Sequence, residues 1–230
     1  MNRTARLLLA AGLVAGTAVT ASAHAQDQSA PQSKLYERLS HLDFGLYGIG
    51  QFNSSVTGVV TPSGASTAGT TLTEKAGNTV GLLANFRYTK KPYVGIEFNY
   101  TYARYTETLT DQTGASVAPG QIQTGVDEAS FGYVITPPHQ FFGLQPFVSV
   151  GAGSTRFRPT RGGGQSAPTQ WRATYYYNLG VQKEFGDSHF GVRAAWRQAF
   201  FKAPDFLLNY LTINKHTTTY EPTAGFYVRF

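Results

Sequence analysis

Eight segments of the chain can be read as β-strands, because most of them alternate apolar and polar side chains with a period of two, and this pattern limits the fold more than any other feature. Side chains of a β-strand point to opposite faces in turn, so such a segment has an apolar face and a polar face. In the fifth segment, Pro146–Phe157, both faces are small or apolar. In the clearest segment, Val94–Tyr102, the apolar face opposes one that carries Gly95, Glu97, Asn99 and Thr101. A dry protein core would not tolerate such charges. The pattern therefore predicts a cylinder with its apolar side chains outside.

The segments have the length that a tilted β-strand needs to cross a membrane, about 9–11 residues. We predict an all-β fold, an eight-stranded antiparallel up-and-down transmembrane β-barrel. Pro222 cannot donate to a strand ladder, so we expect it near the outer end of the last strand, at a bulge or beyond the pairing. The predicted strands are Phe44–Phe52, Thr79–Tyr88, Val94–Tyr102, Ala129–Ile135, Pro146–Phe157 (in an open register), Trp171–Phe185, Phe190–Phe200 and a last one ending at Phe230.

The connections between these segments alternate in length, which indicates two different sides of a membrane. Long outer loops and short periplasmic turns are typical of outer-membrane barrels. An even number of strands leaves both chain ends on the periplasmic side. The expected outer loops are 53–77, 107–125, 158–170 and 202–218, and the expected turns are the short ones at 89–92 and 186–188 and one of intermediate length at 136–144.

The N-terminal sequence predicts export. Two arginines precede the apolar run Leu7–Val19, and small residues follow up to Ala25, as in a secretory signal peptide. The run is shorter than the ~20 residues that a membrane-spanning helix needs. Cleavage after Ala23 is the alternative to cleavage after Ala25. We expect a signal peptide at 1–25, a periplasmic N-terminal lead-in at 26–41 and the outer-membrane barrel domain at 42–230.

Charge and cysteine content exclude two classes of protein. The chain has a net charge of +6, but its basic residues are scattered, and Lys90–Lys91 is their only adjacent pair. Nucleic-acid binding needs a basic stripe, so we predict no nucleic-acid partner. The chain contains no cysteine. A disulfide-stapled fold is excluded, and stability must come from packing and hydrogen bonds.

Three segments resemble a known superfamily. The ending Phe226–Phe230, the start Pro146–Phe147 that leads to Gly151–Gly153, and the strand Phe190–Arg197 resemble the eight-stranded outer-membrane barrels of the OmpA transmembrane domain, OmpX and the opacity proteins. The resemblance extends from about Leu42 to the end of the chain. It implies one monomeric barrel in the outer membrane of a Gram-negative-type cell. Because nothing follows the last strand, no peptidoglycan-binding domain is expected.

The resemblance also assigns a role to the last strand. In this superfamily the insertion machinery reads a terminal aromatic residue. The resemblance therefore implies that Phe226, Val228 and Phe230 form a membrane-insertion signal. The barrel-insertion machinery is accordingly an expected partner.

Polar side chains on the inward faces carry both charge signs and predict a buried network. The interior of an eight-stranded barrel is just wide enough to be filled by its own side chains. We therefore predict a structural polar plug, with a narrow ion path as the alternative. The expected members are Asn85, Arg87, Glu97, Asn99, Glu128, Gln182, Glu184, Arg193 and Arg197.

Basic residues near the outer strand ends form a second candidate site. Arginine and lysine there would pair with lipid phosphates of the outer leaflet, so lipopolysaccharide is an expected partner. Solubility of the loops is an equally good explanation. The residues are Arg104, Arg156, Arg158, Arg172 and Lys202.

Catalytic and metal-binding constellations are not recognisable in the sequence. His216 is the one histidine in a predicted outer loop, and Asp205 lies near it without an acid–His–Ser spacing. We expect no enzymatic activity, no metal and no cofactor. The predicted function is an outer-membrane scaffold that presents four extracellular loops for surface interaction or envelope integrity, with an unknown extracellular ligand. A narrow porin-like channel for ions or small solutes is the alternative, and a barrel hydrolase is a third possibility.

Overall fold

The computed structural model describes residues 40–61, 68–91, 93–186 and 189–230. The predicted signal peptide at 1–25 and the lead-in up to residue 39 lie outside this part. The strands are β1 (Leu42–Asn53), β2 (Val56–Val59), β3 (Thr71–Ala76), β4 (Thr79–Lys91), β5 (Val94–Asp111), β6 (Ser116–Ile135), β7 (Gln145–Pro159), β8 (Gln170–Glu184), β9 (Phe190–Lys202) and β10 (His216–Arg229), with a short 3-10 turn at Asn209–Leu211.

Helices contribute little to the described residues. Among them, no helix has both the length and the apolar character that a membrane span requires.

Eight of the strands form one closed antiparallel ring. Neighbours in the ring follow the order β1, β4, β5, β6, β7, β8, β9 and β10. The ring closes where β1 pairs with β10, from Asp43 opposite Arg229 to Asn53 opposite Thr219. Closure leaves the ring without an unpaired edge. The predicted all-β, eight-stranded antiparallel up-and-down barrel is confirmed.

The two faces of each strand point to opposite sides of the barrel wall. On β5, Ile96 is 53% exposed on the outside, whereas Glu97 is 2% exposed. Because successive side chains alternate, this difference repeats around the ring. The barrel is thus apolar outside and charged inside. Other exposed apolar side chains are Leu46, Val80, Leu82, Phe131, Tyr133, Ile135, Val150, Tyr175, Leu179, Trp196 and Phe226.

The odd-numbered residues of β7 point into the barrel. The sequence had left the register of this strand open. Phe147 is 1% exposed, whereas Val148 is 42% exposed. The Phe147 ring lies 4.5 Å from the guanidinium carbon of Arg87. An aromatic ring on the inward face therefore fills the lumen and contacts a buried cation.

Pro222 lies within β10 rather than at its end, which corrects the sequence prediction. It pairs with Trp196 of β9, and β10 continues outward to His216. On its other side, β10 pairs with β1 at Thr223 and again at Tyr220, and Pro222 between them has no partner on β1. The missing N–H therefore interrupts one ladder locally, and the strand tolerates it because the other ladder stays intact.

The predicted outer loop at 107–125 is wrong, because β5 and β6 continue as one long hairpin. Their pairing extends to Thr110 opposite Ser116. At the turn, the Asp111 carboxylate accepts hydrogen bonds from the backbone N–H groups of Thr113 and Ala115, at 2.8 and 2.9 Å. Beyond the apolar belt the outward side chains of β5 are Thr106, Thr108 and Thr110, whereas Tyr105 and Leu109 are buried on its inward face. The apolar face that marks the membrane strands on the outside is therefore reversed there.

The predicted loop at 53–77 also contains strands. β2 and β3 form a short hairpin, and β3 pairs with the outer part of β5, from Leu72 opposite Asp111 to Ala76 opposite Glu107. The segment 203–215 packs over the same region. We call β2 with Val60, β3, the outer parts of β5 to β9, and residues 203–215 the outer cap. Its apolar core consists of Val60, Leu72, Tyr105, Leu109, Ile122, Val126, Phe157, Phe201, Ala203, Phe206, Leu211 and Ile213.

Candidate functional site

Arg193 is the centre of the polar network near the periplasmic end of the lumen. Its Nη2 donates to both carboxylate oxygens of Asp43, at 3.2 Å each. Its Nη1 donates to the Tyr47 hydroxyl at 2.8 Å and to Asn85 Oδ1 at 2.9 Å, and its Nε donates to Gln182 Oε1 at 3.0 Å. All five guanidinium donors are therefore used, and the side chain connects three separate parts of the barrel wall.

Arg87 forms a second buried ion pair beside this centre. Its Nη2 lies 2.8 Å from Glu97 Oε2, and both side chains are almost fully buried. The other oxygen, Glu97 Oε1, accepts hydrogen bonds from Asn99 Nδ2 at 3.3 Å and from the Tyr176 hydroxyl at 3.0 Å. Arg87 Nη1 also donates to Gln182 at 3.2 Å, which joins this pair to the Arg193 cluster.

Arg197 forms a third buried ion cluster in the lumen, on the extracellular side of Arg193 along β9. Its guanidinium donates to the carboxylates of both Glu128 and Glu221. Gln51 Nε2 donates to the other oxygen of Glu221 at 3.1 Å. The Tyr176 ring lies 4.5 Å from the guanidinium carbon. Arg197 therefore crosses the interior from β9 to β6 and holds a cation between two buried anions.

The structure brings together every predicted member of the network except Glu184. That residue lies at the periplasmic rim, where it is exposed and forms an ion pair with Arg229. The inward alternation of β8 continues to Glu184, but the barrel interior has ended at this depth. Sequence reasoning missed Asp43, Tyr47 and Glu221. Their inward positions in the first and last strands could have identified them as members of the network. For Glu221, the neighbouring Pro222 obscured the alternation.

Little free volume remains inside this part of the barrel. A cavity of about 20 Å³ is lined by Asn85 and Arg193, and one of about 10 Å³ is lined by Thr101 and Glu128. Each has room for about one water molecule. A wider vestibule of about 330 Å³ opens on the periplasmic side and is lined by Arg87 and other residues. The network therefore separates this vestibule from the outer end.

Comparisons with known proteins bear on the fold. No protein-family model matches the chain, and no curated protein matches it. The solved structure of Neisserial surface protein A is similar, with a TM-score of 0.50 and 13% identity, over 81% of this chain and 97% of that one. Together with the closed ring and its apolar exterior, this likeness decides the fold. The chain has the fold of an eight-stranded outer-membrane barrel.

Two further solved structures align with the chain at low identity. The outer membrane protein AlkL aligns with a TM-score of 0.44 and 15% identity, over 91% of this chain and 97% of that one. Ail, the attachment invasion locus protein of Yersinia pestis, aligns with a TM-score of 0.42 and 13% identity, over 81% and 96% of the two chains. The apolar belt of the present barrel matches a hydrocarbon environment, in agreement with the predicted outer-membrane location.

Four of the five residues of the predicted basic rim lie on the outward face of the barrel, and the fifth, Arg172, lies on the inward face. Arg104, Arg156 and Arg158 lie on outward faces, where Arg156 Nη2 is 2.8 Å from Asp127 Oδ2. Lys202 is also on an outward face, on β9, and lies opposite His216.

Arg172 belongs to the outer cap, so its predicted role in the rim is corrected. It is on the inward face of β8, and its Nη2 lies 2.9 Å from Asp205 Oδ1. Burial raises the pKa of Asp205, but hydrogen bonds from Gln170 and Thr212 together with the Arg172 charge lower it below its usual value. Asp205 is thus engaged within the cap rather than paired with His216.

Proposed function

We propose that this protein is a non-conducting outer-membrane scaffold that holds an ordered outer cap at the cell surface. The observation that carries this proposal is the filled lumen. Arg193 uses all its donors inside the barrel, and Arg197 spans the interior between Glu128 and Glu221. Side chains that form such a network leave no continuous water path of the size that a solute needs.

The outer cap is the part of the molecule that a scaffold of this kind would present. The sequence predicted four separate loops, but three of them form one packed unit with its own apolar core. The β5–β6 hairpin gives this unit a fixed direction, and its tip at 112–115 is exposed. A surface that is ordered before binding loses less conformational entropy when a partner binds. The cap therefore suits surface interaction.

Outer-membrane lipid and the insertion machinery are the other proposed partners. Phe226, Val228 and Phe230 all lie on the outside of the barrel and are 40–58% exposed. These side chains are accessible along one strand face, as a recognition signal must be. The basic residues above the apolar belt support the lipid contact.

Solute release from proteoliposomes tests the scaffold proposal. Vesicles that contain the folded protein should retain a small entrapped dye and should retain ions. Release at a rate proportional to the number of inserted barrels would instead establish the narrow channel, which the periplasmic vestibule of about 330 Å³ favours. A change in gel mobility on boiling verifies that the inserted barrels are folded.

We also propose that the protein is not an enzyme. Asp205 bonds to Gln170, Arg172 and Thr212, so its carboxylate is not directed toward His216. A barrel hydrolase needs a base that an acid orients. Hydrolysis of lipid or peptide esters by the purified protein, lost on His216→Ala, would overturn this part of the proposal.

A further inference from the structure

Two glutamates are buried inside the outer cap, against its apolar core. Glu74 of β3 is 4% exposed, and Glu107 of β5 is 2% exposed. In the ladder between these strands, Glu74 is opposite Leu109 and Ala76 is opposite Glu107. The two glutamates are therefore diagonal neighbours on one face of the sheet, and side chains of this length reach each other from such positions.

Among the described residues, neither carboxylate has a partner that neutralises it. Oε1 of Glu74 and both carboxylate oxygens of Glu107 are buried and accept no hydrogen bond. The ion pairs of the described part of the chain include neither side chain. The Tyr105 hydroxyl lies close enough to Glu107 to lower its pKa, although it has no hydrogen-bonding geometry. Because an unpaired buried charge is unfavourable, the two carboxylates need either protons or a cation.

The other charges near this pair compensate each other rather than the glutamates. Burial and the charge of Asp205 raise the pKa of Glu74 to about 8, against a smaller opposite effect of Arg172. Arg172 and Asp205 form an ion pair with each other, 2.9 Å apart. Burial and the charge of Glu74 also raise the pKa of Glu107. The ionised pair would therefore carry two negative charges that the cap does not balance.

A small cavity lies at the two carboxylates. Its volume is about 20 Å³, and both Glu74 and Glu107 line it together with Tyr105. A cavity of this size holds one particle as large as a water molecule, and a dehydrated Ca²⁺ ion is no larger. Asn53 and Thr217 add neutral oxygen atoms to the lining. Buried carboxylate oxygens without partners thus border a space of the size of one ion.

The atoms around the cavity select a hard cation. Carboxylate, amide and hydroxyl oxygens suit Ca²⁺ and Mg²⁺, whereas structural Zn²⁺ sites consist mainly of sulfur and nitrogen ligands. Mg²⁺ usually keeps several water molecules, for which the cavity has no room, whereas Ca²⁺ accepts irregular geometry and bidentate carboxylates. The described residues contain no group of three or more Asp, Glu, His or Cys that could hold a metal ion. With only two carboxylates, we expect a weak site with a dissociation constant of about 0.1–1 mM.

We propose that Glu74 and Glu107 bind one Ca²⁺ ion in the cavity that they share within the outer cap. The ion replaces the protons that otherwise neutralise the two side chains. It connects β3 to β5, and so holds the β2–β3 hairpin against the long β5–β6 hairpin. The inference goes beyond the scaffold function and depends on the ordered cap, not on whether the lumen conducts. It also departs from the sequence prediction of no metal, because the two glutamates come from separate strands.

Hydrogen exchange of the full chain, folded in detergent micelles free of lipopolysaccharide, tests the site. Exchange of the β3 amides is compared at pH 8 in Ca²⁺, in EDTA and in KCl of equal ionic strength. At a Ca²⁺ concentration ten times the dissociation constant, exchange through opening of the cap should slow about tenfold relative to EDTA. KCl should have no such effect, and the amides at 176–182 of β8 should not respond.

Two results of this comparison would overturn the proposal. The first is an absence of slowing with Ca²⁺, which would mean that the pair holds protons only. The second is equal slowing with KCl, which would mean that salt acts on the cap without a specific ion. Equilibrium dialysis measures the binding itself and should find one Ca²⁺ bound per chain.

Substitutions assign the Ca²⁺ response to the two glutamates. Glu74→Gln with Glu107→Gln removes both charges and keeps the shape, so the response of the β3 amides and the bound Ca²⁺ should be lost. Asp111→Asn is the matched control, because Asp111 is a partly exposed acid at the end of the same β5 strand. This control should respond like the wild type. A response that persists in the glutamine pair, or that disappears in Asp111→Asn, would contradict the site.

A change in gel mobility on boiling verifies that each variant is folded. If the glutamine pair fails to fold, Glu107→Asp keeps the charge and shortens the side chain by one methylene group. Weaker Ca²⁺ binding by Glu107→Asp would support the proposal, and unchanged binding would contradict it. Dye retention by vesicles is independent of these results, so the scaffold function and the Ca²⁺ site fail separately.

Discussion

Arg193 and Asp43 are 150 residues apart in sequence, yet Arg193 Nη2 lies 3.2 Å from both carboxylate oxygens of Asp43. This ion pair connects β9 to β1 on the lumen side of β10, the strand between them that closes the ring. A buried charge that loses its partner is strongly destabilising. The polar interior therefore stabilises barrel closure only as a complete network.

Removing a central cation should destabilise the barrel. Arg197→Met leaves Glu128 and Glu221 buried without a counter-ion, and we expect a loss of about 3–5 kcal/mol in the free energy of unfolding. Urea titration followed by gel mobility measures this loss. Arg229→Gln is the control, because its ion pair with Glu184 is partly exposed and should contribute at most about 1 kcal/mol. Equal losses in the two variants would contradict the network.

The outward face should reject a charge at mid-depth but accept it in the outer cap. Phe98 packs against Phe131 on the outside of the barrel, with ring centroids 4.8 Å apart. Phe98→Arg should cost about 2–4 kcal/mol in a bilayer. Thr108→Arg, on the same face of β5 but above the membrane, should cost less than about 1 kcal/mol. Similar costs at both positions would mean that the belt does not face lipid.

The stability of the outer cap should depend on pH through Glu74. Burial and the charge of Asp205 raise the pKa of Glu74 from 4.5 to about 8. The folded cap therefore binds more protons than the unfolded chain between these values, so its stability falls as the pH rises from about 4.5 to 8. Each pKa unit corresponds to about 1.4 kcal/mol, so the total loss is a few kcal/mol.

Hydrogen exchange of β3 as a function of pH measures this effect. Glu74→Gln should slow exchange at pH 8 and should flatten the pH dependence, although Glu107 in the same core retains part of it. Burial and the charge of Glu74 raise the pKa of Glu107 as well. Glu184→Gln, at the exposed rim, should leave the pH profile unchanged. An unaltered slope in Glu74→Gln would show that the cap does not hold a protonated carboxyl there.

The last residue should matter for assembly more than for export. Phe230 is 50% exposed on the outside of the barrel. Phe230→Ala should lower the amount of heat-modifiable barrel in the membrane fraction, while signal cleavage continues. Phe142→Ala, an exposed aromatic at the periplasmic turn, is a matched control that should assemble normally. Wild-type assembly levels in Phe230→Ala would exclude this residue as an insertion signal.

The sequence predicted the barrel because a membrane imposes a period of two on its strands. Ile96 and Glu97 show this at a single step, since one faces lipid and the other faces the lumen. The strands of the outer cap escaped prediction because their outward residues face water, where threonines replace apolar side chains. Glu184 was misplaced because alternation gives a face but not a depth. Arg172 was assigned to the lipid rim from its charge, although the even-numbered residues of its strand point inward.

Contacts across the lumen were also beyond sequence reasoning. Alternation places Arg197 inside, but it does not say that Glu128 and Glu221 reach the same guanidinium from two other strands. That meeting depends on strand stagger and on the closure of the ring. Asn99 shows the consequence, because its amide bonds to Glu97 and Tyr176. The alternation alone gives no indication that substitution at this position would break both bonds.

Tryptophan quenching in a bilayer tests the central claim, which is an apolar exterior around a closed polar interior. With Trp171→Phe as the background, Trp196 reports on the outward wall. With Trp171→Phe and Trp196→Phe, Phe147→Trp reports on the lumen. Brominated lipid chains should quench Trp196 strongly, and neither they nor aqueous iodide should quench the Phe147→Trp reporter. Quenching of the Phe147→Trp reporter by iodide would reveal an open lumen. If brominated lipid quenched this reporter more strongly than it quenches Trp196, the inward and outward faces of the wall would be the reverse of those described.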